Sequence, residues 1–560
     1  MARPGLLYVT MQPRPDLPAA QFHDWYNNEH GPLRLRLSYV TNGFRYRAID
    51  LNGPKSTQGQ DLPEWLALYD LTDIDQLTRD PAYLSMRTDE VKTQREKDTM
   101  AQITVDRGIY QLDNERRSDA FVPLEEQSDA TSAGKVLVSI SIRADQSRKT
   151  DLENWYEQEH APLLSKVSGW HRTRLFSTVA MGSDAGPVVF LILHEFTAAD
   201  GLNSAEYQNA MNISWSKRTT ASSDIAKSHV HRTYEWYYTF GPAPRELASL
   251  TAPSGTTLKF WSSNDGLTKT SSHPTRPVIK SFVTTPDSVE IPYRLEGSGD
   301  PSAPLIVLSN CILVDWTIWD DFVDEFLSVN PNFRILRYLT RGRQRQCGNQ
   351  PITIDLLASD IISLLDALRV PKTALLIGVS LGGVTVLNTS LLHPSRVSAF
   401  VACDTNSSAP ESNRKAWNDR IALAEKERAV SATSEPIVGS QLAEVTTRRW
   451  LVPEHYTNNP TLATKIEKIV AANSLDGFRR GAQALCAYDV RERMASATVP
   501  GLFVVGANDG ILPQTMKQMA ADLAGGAQVK VIGDAGHLPM VEQPEAFTGV
   551  INEFVRGLGV

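Results

Sequence analysis

The sequence predicts a multidomain chain: two α+β repeats, each of β-α-β-β-α-β order, followed by a doubly wound α/β domain with a helical cap. Three observations predict it. A nine-position pattern, W-Y-x-x-E-H-x-P-L, occurs at residues 25–33 and again at 155–163. From Phe282 onward apolar runs alternate with helical runs, as in a parallel sheet covered on both faces. Between these halves lies Ser271-Ser272-His273-Pro274-Thr275-Arg276-Pro277, which can propagate neither a helix nor a central strand. A chain of 560 residues is also too long for one hydrophobic core.

The first copy of the pattern reads Trp25-Tyr26-Asn27-Asn28-Glu29-His30-Gly31-Pro32-Leu33, and the second Trp155-Tyr156-Glu157-Gln158-Glu159-His160-Ala161-Pro162-Leu163. Alternating apolar runs precede both, at 6–11 and 136–142, and read as half-buried strands. Matching strands follow at 43–47 and 169–174, then at 65–70 and 188–195, then a helix and a last aromatic strand at 108–112 and 234–240. The repeats therefore span 1–115 and 133–242, with a charged, Ser/Ala-rich loop over 116–133. His30 and His160 have two readings. Each is an acid or base in a cavity of the sheets, or a helix-end histidine bonded to backbone, with the next proline ending the turn. Residues 243–279 are expected to be a linker, and 280–560 the α/β domain, with its cap at about 408–480.

In the α/β domain the informative stretch is Leu375-Leu376-Ile377-Gly378-Val379-Ser380-Leu381-Gly382-Gly383. An apolar strand runs into G-x-S-x-G and then into a helical run, the context a nucleophile elbow requires. Two partners follow in order at the ends of later strands: Asp509 after Leu502-Phe503-Val504-Val505-Gly506, and His537 after Val529-Lys530-Val531-Ile532. Ser380 is a weak nucleophile at neutral pH; His537 would take its proton and return it to the leaving group, and Asp509 would fix the imidazole tautomer. Asp404 and Asp534 compete for the acid role, Asp404 ranking second. The oxyanion donors are expected to be the backbone N–H groups of Leu381 and Cys311. On the cap, Arg420, Arg449 and Trp450 either bind an acidic or aromatic substrate or pack the cap.

On these residues the C-terminal half resembles the 3-oxoadipate enol-lactonases and their relatives. The resemblance is carried by Arg337-Tyr338 with Thr340-Arg341-Gly342, Cys403-Asp404-Thr405, Arg449-Trp450 and Gly536-His537-Leu538-Pro539-Met540. It implies an α/β-hydrolase domain. Two loops depart from the family. Asn310-Cys311-Ile312-Leu313 stands where it usually has asparagine–serine–leucine–glycine, and Leu339 and Arg343-Gln344 stand where it favours an aspartate and a histidine–glycine pair. The substrate is therefore not carried over. The W-Y-x-x-E-H-x-P-L copies resemble the EthD family of dimeric α+β-barrel proteins, which implies two ferredoxin-like units that can close a barrel within one chain. Some fungal relatives of that family are associated with decarboxylation of aromatic polyketide acids.

Two functions are expected from these resemblances. The first is a serine hydrolase of a lactone, ester or activated C–C bond of a small cyclic or aromatic acid. The alternative is a polyketide-tailoring decarboxylase, cyclase or isomerase of secondary metabolism, with its chemistry in the EthD-like barrel. The apolar fraction of 41% and charged fraction of 21% are those of a globular protein, and a net charge of −8 gives no basic footprint for nucleic acid. Without a long apolar segment or signal-peptide pattern, a cytoplasmic protein with no membrane partner is expected. The expected partners are a small-molecule substrate and further copies of the chain through the EthD-like region. The four cysteines lack metal-ligand spacing and read as buried free thiols, and neither metal nor organic cofactor is implied.

Overall fold

The computed structural model describes residues 2–50, 62–178, 188–212, 229–253, 255, 258–343 and 347–559. The chain divides into two compact units, Met1–Pro244 and Arg245–Val560. No helix among the described residues is long and apolar enough to cross a membrane. Cys311, Cys347 and Cys403 are buried free thiols, whereas Cys486 is partly exposed, which corrects the expectation for that residue.

The first unit is a closed barrel of eight antiparallel strands: β1 (Gly5–Pro13), β2 (Phe44–Ala48), β3 (Trp65–Leu71), β4 (Ile103–Arg117), β5 (Val136–Ala144), β6 (Trp170–Thr178), β7 (Val188–Phe196) and β8 (His229–Thr239). Each half of the unit contributes four neighbouring strands, β4-β1-β3-β2 and β8-β5-β7-β6. Two seams join the halves. β2 pairs with β8 (Phe44↔Thr239), and β4 pairs with β6 (Tyr110↔Thr178). Alternation along the strands decides which side each residue serves. Leu6, Phe44, Leu68, Leu137, Leu193 and Tyr234, drawn from both halves, form the barrel interior. Leu7, Val9 and Met11 point the other way and pack with Phe22, Trp25 and Tyr26 of the covering helix.

The repeated motif forms one local structure twice. An α-helix (Ala19–Trp25, Lys149–Trp155) widens into a π turn (Tyr26–His30, Tyr156–His160), and a short α-helix carrying the proline follows. The Gly31 and Ala161 N–H groups reach back to the Tyr26 and Tyr156 carbonyls, five residues away. The proline of an α-helix removes a donor and crowds the carbonyl four residues back; the wider turn makes room for it.

The second unit is built on a ten-stranded sheet in the order β18-β17-β16-β15-β13-β14-β12-β11-β10-β9. Its strands are β9 (Phe260–Ser262), β10 (Lys269–Ser271), β11 (Val278–Thr284), β12 (Glu290–Gly297), β13 (Leu305–Ser309), β14 (Arg334–Tyr338), β15 (Leu375–Val379), β16 (Phe400–Cys403), β17 (Gly501–Gly506) and β18 (Gln528–Ile532). Strands β13 to β18 run parallel, and the antiparallel part begins where β12 pairs with β14. The central strands β13 and β15 are buried at every residue, which is why they read as unbroken apolar runs. Of the six helices between β16 and β17, the first five form the cap: Asn413–Glu427, Ser440–Trp450, Glu454–Asn458, Pro460–Ala471 and Leu475–Ala484.

The expected linker over 243–279 is corrected here. Its residues supply β9, β10 and the start of β11, which continue the sheet of the second unit (Thr270↔Trp261, Thr270↔Ile279). Prolines and glycines flank these short edge strands instead of interrupting them, so composition alone hid them. A fragment spanning 245–560 is expected to melt several degrees above one spanning 276–560, since each kcal/mol lost lowers Tm by about 2–4 °C at this size. Equal melting temperatures, read by calorimetry, would show that β9 and β10 contribute nothing.

Candidate functional site

Ser380 stands between β15 and the helix Leu381–Leu392 with φ 58° and ψ −115°. The left-handed φ costs an L-residue about 1–2 kcal/mol and persists because the surroundings over-determine it. The Ser380 N–H donates to the Cys403 carbonyl at 2.8 Å, and its own carbonyl accepts from the Thr405 hydroxyl at 2.8 Å. A Cβ on Gly378 would lie 2.1 Å from the Gly382 carbonyl oxygen, and one on Gly382 would lie 2.3 Å from that of Ser309. Both glycines of the pentapeptide are thus required by close backbone approach.

Asp509 and His537 follow β17 and β18, at the same carboxyl edge of the sheet as Ser380. His537 Nδ1 lies 2.7 Å from Asp509 Oδ2, with the two side chains 13% and 16% exposed. Burial pushes the imidazole pKa down, but the charge and hydrogen bond of Asp509, with a contribution from Cys311, hold it well above its ordinary value. The His537 ring stacks on Trp450 at 5.7 Å, and the His537 backbone N–H donates to the Trp450 carbonyl at 2.7 Å.

Asp404 lies behind this pair. It is fully buried, has φ 44°, and accepts from the Gly506 N–H at 2.9 Å. Burial, reinforced by the Asp509 charge, raises its pKa well above the ordinary carboxylate value. Asp509 itself is held below its ordinary value: burial opposes this, but His537 and Asp404 prevail. Among the described residues, Asp404, Asp509 and His537 form the one histidine, cysteine or carboxylate group whose ligand atoms all lie within 4.8 Å. Within it His537 is hydrogen-bonded to Asp509, while Asp404 is held by the Gly506 N–H. Asp534, the third acid considered, is exposed and offers its backbone carbonyl to Gln543.

The loop after β13 carries the expected oxyanion donor. Asn310 pins it, donating to the Tyr338 carbonyl at 2.7 Å and accepting from the Trp319 indole at 2.9 Å. Neither the Cys311 nor the Leu381 N–H donates to a backbone carbonyl among the described residues. Leu313 has φ 66°, a left-handed conformation that favours glycine, and Asn473 donates to its carbonyl at 2.7 Å. Gln344 lies outside the described residues.

On the cap, Trp450 is 2% exposed and supports His537. The Arg420 guanidinium lies 4.6 Å from the Trp417 ring centre; burial and the neighbouring Arg449 charge push it down to about 10. Burial also lowers Arg449, and the Asp509 carboxylate opposes that shift.

In the first unit, His30 and His160 are both buried but lie on the helix-covered side of the strands, not in the barrel interior. His30 packs on Trp25 and Tyr26, and its Nδ1 lies 2.8 Å from Glu96 Oε1. His160 stacks on Trp155, and its Nε2 lies 3.2 Å from that of His194. Burial keeps both neutral, pushing them to about 4 and about 3. His30 thus meets a side chain of another element, and His160 meets His194 with the Ala210 backbone also bearing on it.

Sequence reasoning missed Glu542. It ties the His537 loop to the cap, accepting from the Gly536 N–H at 2.7 Å and the Val452 N–H at 2.8 Å. Burial raises its pKa to about 7, although these donors oppose the shift. The folded state keeps this proton to higher pH than the unfolded chain does. Its contribution to stability therefore falls as pH rises from about 4.5 to about 7. The melting temperature of Glu542→Gln minus that of the wild type is expected to grow between about pH 5 and about pH 8; a constant difference would refute the assignment.

Comparison with known proteins places the second unit. A family model described as the alpha/beta hydrolase fold matches residues 334–544. The chain is 29% identical over 264 residues to 3-oxoadipate enol-lactonase 1 of Acinetobacter baylyi, covering 47% of this chain and 92% of that protein. It is 25% identical over 279 residues to 3-oxoadipate enol-lactonase 2 of the same organism, covering 50% and 97%. The crystal structure of the enol-lactonase from Burkholderia xenovorans LB400 superimposes with a TM-score of 0.44 at 26% identity, covering 49% of this chain and 99% of that one.

Proposed function

Because the C-terminal half is an α/β hydrolase related to 3-oxoadipate enol-lactonase, we propose that the protein hydrolyses a lactone or ester of a small cyclic or aromatic acid through Ser380, His537 and Asp509. The carrying observation is the 2.7 Å His537–Asp509 contact at the sheet edge where Ser380 is held at φ 58°.

In this reading Ser380 Oγ attacks the carbonyl carbon while His537 takes its proton. The oxyanion is met by the N–H groups of Leu381 and Cys311, each worth about 3 kcal/mol in comparable sites. His537 then protonates the departing oxygen, leaving an acyl-enzyme, and water attacks that ester by the same proton route in reverse. Asp509 fixes the tautomer and balances the imidazolium. Burial and the nearby Asp509 charge both disfavour the ionised form of Asp404. Arg449, near Asp509 and Cys311, and Arg420 beside it supply positive charge for an acidic substrate.

For the first unit we infer an EthD-like pair acting as a scaffold. The support is the two copies of one motif and the four-plus-four strand order. His30 and His160, neutral and engaged by neighbouring side chains, serve packing there.

A fluorophosphonate is expected to label Ser380 in the full chain, mapped by mass spectrometry, and Ser380→Ala to lose the label and about 10⁶ in kcat toward 4-nitrophenyl acetate. Asp509→Asn is expected to cost about 10⁴. Since the base must be neutral to act, kcat/KM should rise with pH through a midpoint above the ordinary imidazole value. Labelling at another residue, or unchanged turnover of Ser380→Ala, would overturn the reading.

A further inference from the structure

Arg337, Arg341 and Arg343 follow one another along β14 and the loop after it, and their surroundings differ. Arg337 donates to Glu296 at 2.8 Å and Asp320 at 2.6 Å. Arg341 donates to Asp360 at 2.7 Å and Asp287 at 2.8 Å. Arg343 is 7% exposed, yet no carboxylate among the described residues reaches it. Its Nη1 has Asn473 Oδ1 at 3.5 Å, and its Nε is buried without an acceptor. The residues that follow, Gln344, Arg345 and Gln346, bring no carboxylate either. Burial lowers its pKa to about 10, so the cation persists at neutral pH. A buried charge left in this state is costly unless something anionic meets it.

Arg343 borders a cavity of about 930 Å³, whose wall also includes Lys269, Lys280, Phe282, Trp316 and Leu339. Lys269 and Lys280 stand directly opposite each other across β10 and β11, and the row continues to Arg294 and Arg337. Like charges directly opposite repel. Glu296 serves Arg294 and Arg337, but neither lysine has a carboxylate partner among the described residues. Of the acids on the wall, Asp476 is engaged by Arg479 and Arg480 and Glu435 lies in solvent; Glu290 is the third. The guanidinium fork fits a carboxylate in two-point contact, the lysines add point charge, and the rings accept an apolar body. Asn473, the residue in contact with Arg343, also donates to the Leu313 carbonyl at 2.7 Å, which ties the guanidinium to the loop after β13.

We propose that this cavity binds an aromatic carboxylate, with Arg343 as the recognising side chain and Lys280 and Lys269 as supporting charges, and that it holds the anionic part of the substrate; the last clause rests on the function proposed above. Calorimetric titration of the full chain with benzoate tests it, with benzamide as the neutral probe. Arg343→Gln is expected to weaken benzoate at least tenfold, Lys280→Gln a few-fold, and neither to change benzamide. Equal benzoate affinity in wild type and Arg343→Gln, or benzamide binding as tightly as benzoate, overturns the site. If Arg343→Gln fails to fold by circular dichroism, Lys280→Gln decides, and unchanged benzoate affinity there overturns the site. Benzoate should also slow fluorophosphonate labelling of Ser380 in the wild type; labelling at an undiminished rate overturns the link to the substrate. A wild type that does not label at Ser380 refutes the proposed hydrolysis instead, and leaves the titration to judge the cavity.

Discussion

Between β15 and the helix Leu381–Leu392 the backbone must reverse at one residue, Ser380, and its φ of 58° is held by contacts that leave no room for side chains on either flank. The rest of the second unit is arranged around this reversal. It lifts the Ser380 side chain to the sheet edge and frees the first N–H groups of the helix, which no carbonyl of the helix can satisfy. It also draws β13 and β16 close, since the flanking glycines touch the Ser309 backbone and Ser380 itself bonds to Cys403. The oxyanion loop and Asp404 follow those two strands directly, so the bend sets where both begin.

The barrel obeys a different constraint. A four-stranded sheet with one apolar face and two open edges cannot stand alone in water. The two halves solve both problems together: β2 is completed by β8 and β4 by β6, and the interior is filled by residues of both halves. Beside Leu6, Leu68, Leu137 and Leu193, the same face carries buried ion pairs of Arg174 with Asp70 and of Arg172 and Arg174 with Glu195, so its charges are matched within the barrel. The motif histidines sit among Trp25, Tyr26 and Trp155 in the helical layers.

What the sequence disclosed follows from how locally each feature is encoded. The strand–G-x-S-x-G–helix run and the doubled W-Y-x-x-E-H-x-P-L pattern are written in consecutive residues, and both read directly. The π turn was not legible, because nothing in the pattern distinguishes a five-residue from a four-residue backbone bond; the proline at its end was the available clue. Strands β9 and β10 were missed because three residues are too few to show an alternation: β9 has no buried position and β10 only Thr270. Glu542 escaped because its partners are backbone N–H groups from two loops 90 and 6 residues away. Asp404 and Asp509 could be ranked by chain order, but that one is raised and the other lowered depends on their surroundings, which no linear spacing encodes.

Buried charge gives the domain its sharpest internal contrast. Arg337 and Arg341 are each fully buried with two carboxylates, so desolvation is offset within the fold, and a neutral replacement would leave acids stranded. At Asp404 the same burial raises the carboxyl well above its ordinary value. Arg343 has neither answer: a guanidinium stays charged even when lowered to about 10, and its weak amide contact does not neutralise it. Its neighbour in the oxyanion loop, Leu313, likewise holds a backbone conformation unfavourable for its residue type. Both are positions where the chain departs from the hydrolases it resembles, and Asn473 contacts both. Two unfavourable choices joined by one asparagine, beside a cavity lined with further cations, are hard to explain as packing. Packing would be better served by glycine at 313 and a neutral side chain at 343. The arrangement makes physical sense if the folded state carries a cost that a bound anion removes.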